Sequence, residues 1–194
     1  MEYETIQPPF TKKFNEMSKT ELKEYNRWFH QVLPERIQEL VKAVKSTSGF
    51  EGWVPDFTPD SLYVLGDWLA LQVETRQLSR AEYEQKYQEV NKGVRFPIDI
   101  SDREMSIRTV SLAMDTGMYL SEVFLRNHAT LSWTQTLKGG KRYIHYGRPA
   151  LQGFGKLEFE PVHMMVVLAS KLLKRHEGGR ELREIYDIWA KMIG

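Results

Sequence analysis

The chain of 194 residues contains no cysteine. Disulfides, thiolate catalysis and cysteine-ligated zinc or iron–sulfur sites are thereby excluded. It also lacks a dominant charge: 27 basic against 26 acidic residues leave +1, too little for a global attraction to nucleic acid or anionic lipid. The balance hides a gradient. Residues 1–100 carry 13 basic and 16 acidic side chains (−3), and residues 101–194 carry 14 and 10 (+4). No apolar run is long enough to cross a bilayer; the longest, Val162 to Ala169, is interrupted by His163. The opening MEYETIQPPFTKKF has neither the apolar stretch nor the small-residue cleavage site of a secretory signal. A cytoplasmic location is the resulting expectation.

What is present is globular, with 41% hydrophobic and 27% charged residues. No repeat, low-complexity tract or composition break divides the chain, so residues 1–194 read as one domain. Helix-start signals are frequent. Ser18 with Glu21, Ser79 with Glu82 and Ser101 with Glu104 have capping-box spacing, in which hydroxyl and carboxylate each satisfy a free amide of the first turn. Thr58-Pro59 and Glu160-Pro161 place proline at the first helical position, where its missing donor costs nothing. These starts and the apolar spacing predict helices over 19–32, 35–46, 59–77, 80–91, 102–127, 161–175 and 180–193, with Pro34 separating the first two.

The segment 102–127 is apolar around most of its circumference, as expected of a helix surrounded by neighbours. After it the period shortens. Residues 130–137 and 141–146 are rich in β-formers and joined by Lys138-Gly139-Gly140, which predicts a hairpin, and 157–159 is a third extended piece. The fold expected is α+β and predominantly helical. It has about six to seven helices around the central helix 102–127, with a small antiparallel sheet built on a hairpin over 130–147.

Chemistry has few candidates. The narrow polar stripe of the central helix holds Arg108, Ser111, Asp115, Glu122 and Arg126. Asp115 and Glu122 share a face about 10 Å apart, and two such carboxylates can ligate a metal or act as an acid/base pair. Metal-binding helices place ligands three or four apart, however, and that spacing is missing. An exposed strip, with Glu122 paired to Arg126 and Asp115 to Ser111 or Arg108, is the favoured reading. His30, His128, His145, His163 and His176 are scattered; His145, which can meet His128 or Asp115 across space, is the first to test. Gly153-Phe154-Gly155 is a turn without the βαβ context of a dinucleotide loop, and no serine lies in a nucleophile elbow. Neither a cofactor nor a metal is expected.

The hairpin and its flanks supply the best surface: Trp133, Lys138, Lys141, Arg142, Tyr143, His145, Tyr146 and Arg148. Aromatic side chains interleaved with cations suit a protein partner, since Trp, Tyr and Arg are the usual interface anchors. They also suit single-stranded nucleic acid. Packing against the central helix would consume one face, with Leu131, Trp133 and Ile144 inward. The run Asp115-x-Gly117-x-Tyr119-Leu120-x-Glu122, followed by Trp133 and by Tyr146-Gly147-x-Pro149, resembles small uncharacterised bacterial proteins, some of them similar to immunity partners of secreted toxins. The resemblance assigns no residue a role. The expected function is a non-enzymatic cytoplasmic protein-interaction module, of immunity or regulatory type, whose partner is another protein. The alternatives are a metal-dependent hydrolase using Asp115, Glu122 and His145, and nucleic-acid binding through the basic hairpin 133–148.

Overall fold

The computed structural model describes residues 3–138, 140, 145–175 and 178–194. Within them lie α1 (Lys19–Lys45), α2 (Ser61–Gln72), β1 (Thr75–Gln77), α3 (Arg80–Asn91), β2 (Arg103–Met105) and α4 (Ile107–Asn127). Next come β3 (Ser132–Gln135), β4 (Pro149–Phe154), β5 (Leu157–Phe159), α5 (Pro161–Arg175) and α6 (Arg180–Ala190). The architecture is α+β and dominated by helix, as expected.

The capping boxes of α1 and α3 form as the sequence predicts. Ser18 and Ser79 each accept a bond from the backbone amide of the glutamate three residues on, and each glutamate takes its cap's own amide. The third box is a correction. Glu104 lies in β2, which pairs antiparallel with β1 (Arg76↔Glu104), and α4 begins only at Ile107 under a Ser106 cap. Tertiary pairing claims that backbone: Leu78 N–H donates to Asp102 O and Ser106 N–H to Glu74 O. β1 shortens α2, which ends at Gln72 rather than 77. At its other end Thr58 is no cap; Asp56 Oδ1 accepts from both the amide and the hydroxyl of Thr58, and α2 starts at Ser61.

Pro34 does not divide the first helix either. One lost hydrogen bond and a ring clash cost about 3 kcal/mol. The turns beyond Pro34 bury Ile37, Leu40 and Val44, each contributing about 1.5–3 kcal/mol. Packing prevails, and α1 runs through its proline.

α4 occupies the centre: 14 of its 21 residues are buried. It packs chiefly on α5 and α1. Gly117 permits a close approach of α5, since a Cβ there would stand 3.0 Å from the Pro161 carbonyl. At its C-terminal end Phe124 meets Phe154, Phe159 and Tyr186 with ring centroids 4.6–5.3 Å apart. The three-stranded sheet runs β3-β4-β5, all antiparallel, with Trp133 opposite Leu151 and Leu151 opposite Phe159.

Among the described residues the partner of β3 is 149–154. Residues 145–147 form a turn, and 139 and 141–144 lie outside the described residues. Gly147 explains the turn: its φ is +75°, and a Cβ on it would come within 2.5 Å of the Leu22 side chain. Gln135 Nε2 ties that turn to α1 by donating to both Gly147 O and Leu22 O.

Candidate functional site

The polar stripe of α4 is not an exposed strip at Asp115. Residues 3–6 cross over it, and Asp115 is fully buried. Arg36, from the middle of α1, donates Nε to Asp115 Oδ1 at 3.1 Å and Nη2 to Oδ2 at 2.7 Å. The Tyr3 hydroxyl donates to the same carboxylate, and Arg36 Nη2 also reaches Glu4 O at 2.7 Å. One turn earlier, Ser111 Oγ accepts from the Ile6 amide at 3.1 Å. Burial pushes the Asp115 carboxyl above the usual carboxylate range, with Arg36 opposing it. Burial together with the neighbouring carboxylate drives the Tyr3 hydroxyl far up. The triad is therefore a clasp joining the N-terminal segment, α1 and α4, with every Asp115 oxygen engaged.

Glu122 instead accepts from Arg126 Nε at 3.2 Å, the local pairing expected, and Arg126 lies over the Phe57 ring. His145 Nδ1 lies 3.3 Å from Glu160 Oε2, and the Arg148 guanidinium donates to Glu160 Oε1 at 2.9 Å. Among the described residues Asp115 bonds to Arg36 and Tyr3, Glu122 to Arg126 and His145 to Glu160, three different sets of partners. His128 Nε2 is 2.8 Å from the Tyr186 hydroxyl. Among the described residues, no three His, Asp or Glu side chains gather as a metal site would require.

Among the described residues of the expected hairpin surface, several are engaged within the fold. Trp133 is half-buried, edge-on to Phe29 and His30. Tyr146 is buried, and Arg148 lies over the Phe14 ring besides holding Glu160. Lys138 is exposed. Lys141, Arg142 and Tyr143 fall outside the described residues, as does His176.

A different region stands out. Residues 73–106 form an outlying lobe of β1, α3 and β2, in which α3 has no buried residue. Ion pairs join its parts: Arg76 to Glu82 at 2.8 Å and Lys86 to Glu104 at 3.1 Å. Lys13 to Glu89 at 2.7 Å links α3 back to the N-terminal segment. Exposed pairs of this kind contribute about 0–1 kcal/mol each, so the lobe is attached mainly through Leu78, which is buried, and through Val73 and Met105, which pack against the core. Between Pro8, the Lys86–Glu104 pair and the start of α4 lies a cleft of about 580 Å³ floored by Met105, Val110 and Met114. Ile107 on its rim is 65% exposed, and beyond α3 Phe96 is 74% exposed. A second cleft, of about 390 Å³, lies beside Lys42, Trp68 and Arg108. There Arg108 caps the end of α2, donating to Gln72 O and Oε1, which accounts for its placement.

The lobe escaped sequence reasoning because α3 shows ordinary helical spacing, and burial is not written in spacing. One signal was available: Lys-Gly-Val-Arg-Phe-Pro-Ile at 92–98 places apolar side chains in a stretch that Gly93 and Pro97 bar from helix. Comparison with known protein families, curated proteins and solved structures found no match for this chain.

Proposed function

We propose that the chain is a non-enzymatic protein-interaction module of the cytoplasm, docking its partner on the outlying lobe and the adjoining cleft. The observation that carries this reading is the pairing of an unburied helix with exposed Phe96, Ile98 and Ile107. Isolated apolar side chains on a surface need no explanation, but a lobe whose helix contributes nothing to the core does. An immunity-type or regulatory partner is the finer form of the proposal. The hydrolase alternative draws no support from carboxylates held in separate networks. Nucleic-acid binding through 133–148 draws little from Arg148, which Glu160 already neutralises.

The test is affinity capture from the native cytoplasm with the wild type and with Ile107→Asp, whose exposed site leaves folding unchanged. A stoichiometric protein retained by the wild type and lost by the variant is expected. Nothing retained, together with turnover in a substrate screen, would contradict the proposal.

A further inference from the structure

We infer that residues 92–98 form a preorganised anchor for a protein partner whose apolar pocket is rimmed by carboxylates; the inference rests on the interaction-module reading and adds the partner's chemistry. The loop is closed at its neck by one side chain. Asn91 Oδ1 accepts from the Ile98 amide at 2.6 Å, and Asn91 Nδ2 donates to Ile98 O at 3.1 Å and to Tyr87 O at 3.0 Å. This amide reproduces the paired bonds of a strand ladder and fastens both loop ends to the last turn of α3. Within the loop the Val94 amide donates to Asn91 O at 3.1 Å, Gly93 takes φ +77°, and Pro97 fixes its own φ. A loop so constrained loses little further entropy when a partner closes on it.

What the loop displays is apolar and cationic. Every residue from Lys92 to Asp99 is exposed, Phe96 most among its apolar side chains at 74%. The Arg95 guanidinium stands 5.5 Å from the Phe96 ring centroid, a stacked cation beside an aromatic anchor. Between Lys92 and Ile98 there are two cations and no acid. Neither Lys92 nor Arg95 has a carboxylate partner among the described residues, and the nearest upstream acid, Glu89, is held by Lys13. Elsewhere in the lobe Arg76 is paired with Glu82 and Lys86 with Glu104, while Arg103 bonds to Thr75 and Gln77. Two cations without carboxylate partners therefore stand beside the exposed ring, and their complement is an acidic rim around an apolar pocket.

A membrane or a nucleic acid fits less well. Anionic lipid recognition uses clusters of roughly 4–8 basic residues, and phosphate-driven binding needs several contacts. Here two cations are followed by Asp99 and Asp102 and flanked by Glu84 on α3.

The test pans a displayed random-peptide library against the full chain and measures the selected peptides by fluorescence anisotropy. Wild type is compared with Phe96→Ser and with the pair Lys92→Glu, Arg95→Glu, all of which sit on exposed sites and keep the wild-type circular dichroism. Expected are acidic peptides with an aromatic or aliphatic anchor. Phe96→Ser should weaken them by about tenfold or more. The charge-reversal pair should weaken them comparably at low salt, with the gap narrowing near ~1 M salt. If F96-dependent peptides are neutral, or bind the charge-reversed chain equally, the acidic-partner inference fails while the interaction-module reading stands. If no peptide depends on Phe96, both fail. Flotation of the chain with phosphatidylserine vesicles, lost on Phe96→Ser, would replace the protein partner with a lipid surface.

Discussion

Asp115 illustrates how a residue's neighbours decide its meaning. As a carboxylate on an apolar helix it reads as a candidate for chemistry; buried against Arg36 and Tyr3 it becomes a fastening. Removing one member of a buried pair strands the other charge, at a cost of about 3–5 kcal/mol. Asp115→Asn should therefore lose stability on that scale in urea denaturation. Arg36→Met combined with Asp115→Leu should recover most of the loss, because no charge is left buried. Tyr3→Phe removes one hydrogen bond to a charged acceptor and should cost about 1.5–3 kcal/mol. A variant at Asp115 more stable than the wild type would mean that the charge is kept for function. None of this triad was legible in sequence, since Tyr3 and Asp115 are 112 residues apart and Arg36 and Asp115 are 79 apart. Glu122 with Arg126 was legible, because its partner is four residues away on the same helix.

At the level of elements, local signals held where nothing non-local competed. Ser18 and Ser79 cap helices as their spacing implies, whereas the identical Ser101-x-x-Glu104 pattern yields to the β1–β2 pairing. The two true boxes have a consequence in pH. Lys12 and the Ser18 amide hold Glu21 down at about 2, and Arg76 with the Ser79 amide does the same for Glu82, from an ordinary value of 4.5. Because the folded pKa is the lower one, these carboxylates stabilise the folded state above pH 4.5. That contribution fades as the pH falls from there toward 2. Glu21→Gln and Glu82→Gln should flatten the acid limb of the stability profile over that window, as followed by circular dichroism. Pro34 makes a separate case. It is exposed within a continuous helix, so Pro34→Ala restores a bond without losing packing and should raise stability by up to about 3 kcal/mol in the same urea titration.

Across the whole molecule the division is between a core and an outlying lobe. The core, α4 with α1, α2, α5, α6 and the β3-β4-β5 sheet, was readable because burial imposes period and apolar content on each segment. The hairpin register was not readable, since it depends on Gly147 meeting Leu22 from a distant helix. The lobe was not readable for the opposite reason: α3 has a helical pattern, yet none of its residues is fully buried and Tyr83 and Tyr87 are only half covered. If that unburied surface is where a partner docks, hydrogen exchange on the full chain bound to peptides selected without bias should reveal it directly. The predicted footprint is slowed exchange over 80–98 and at the start of α4 near Ile107, with α5 and the β3-β4-β5 sheet unchanged. Protection confined to that sheet or to the C-terminal helices, with 80–98 exchanging as in the free protein, would contradict the account.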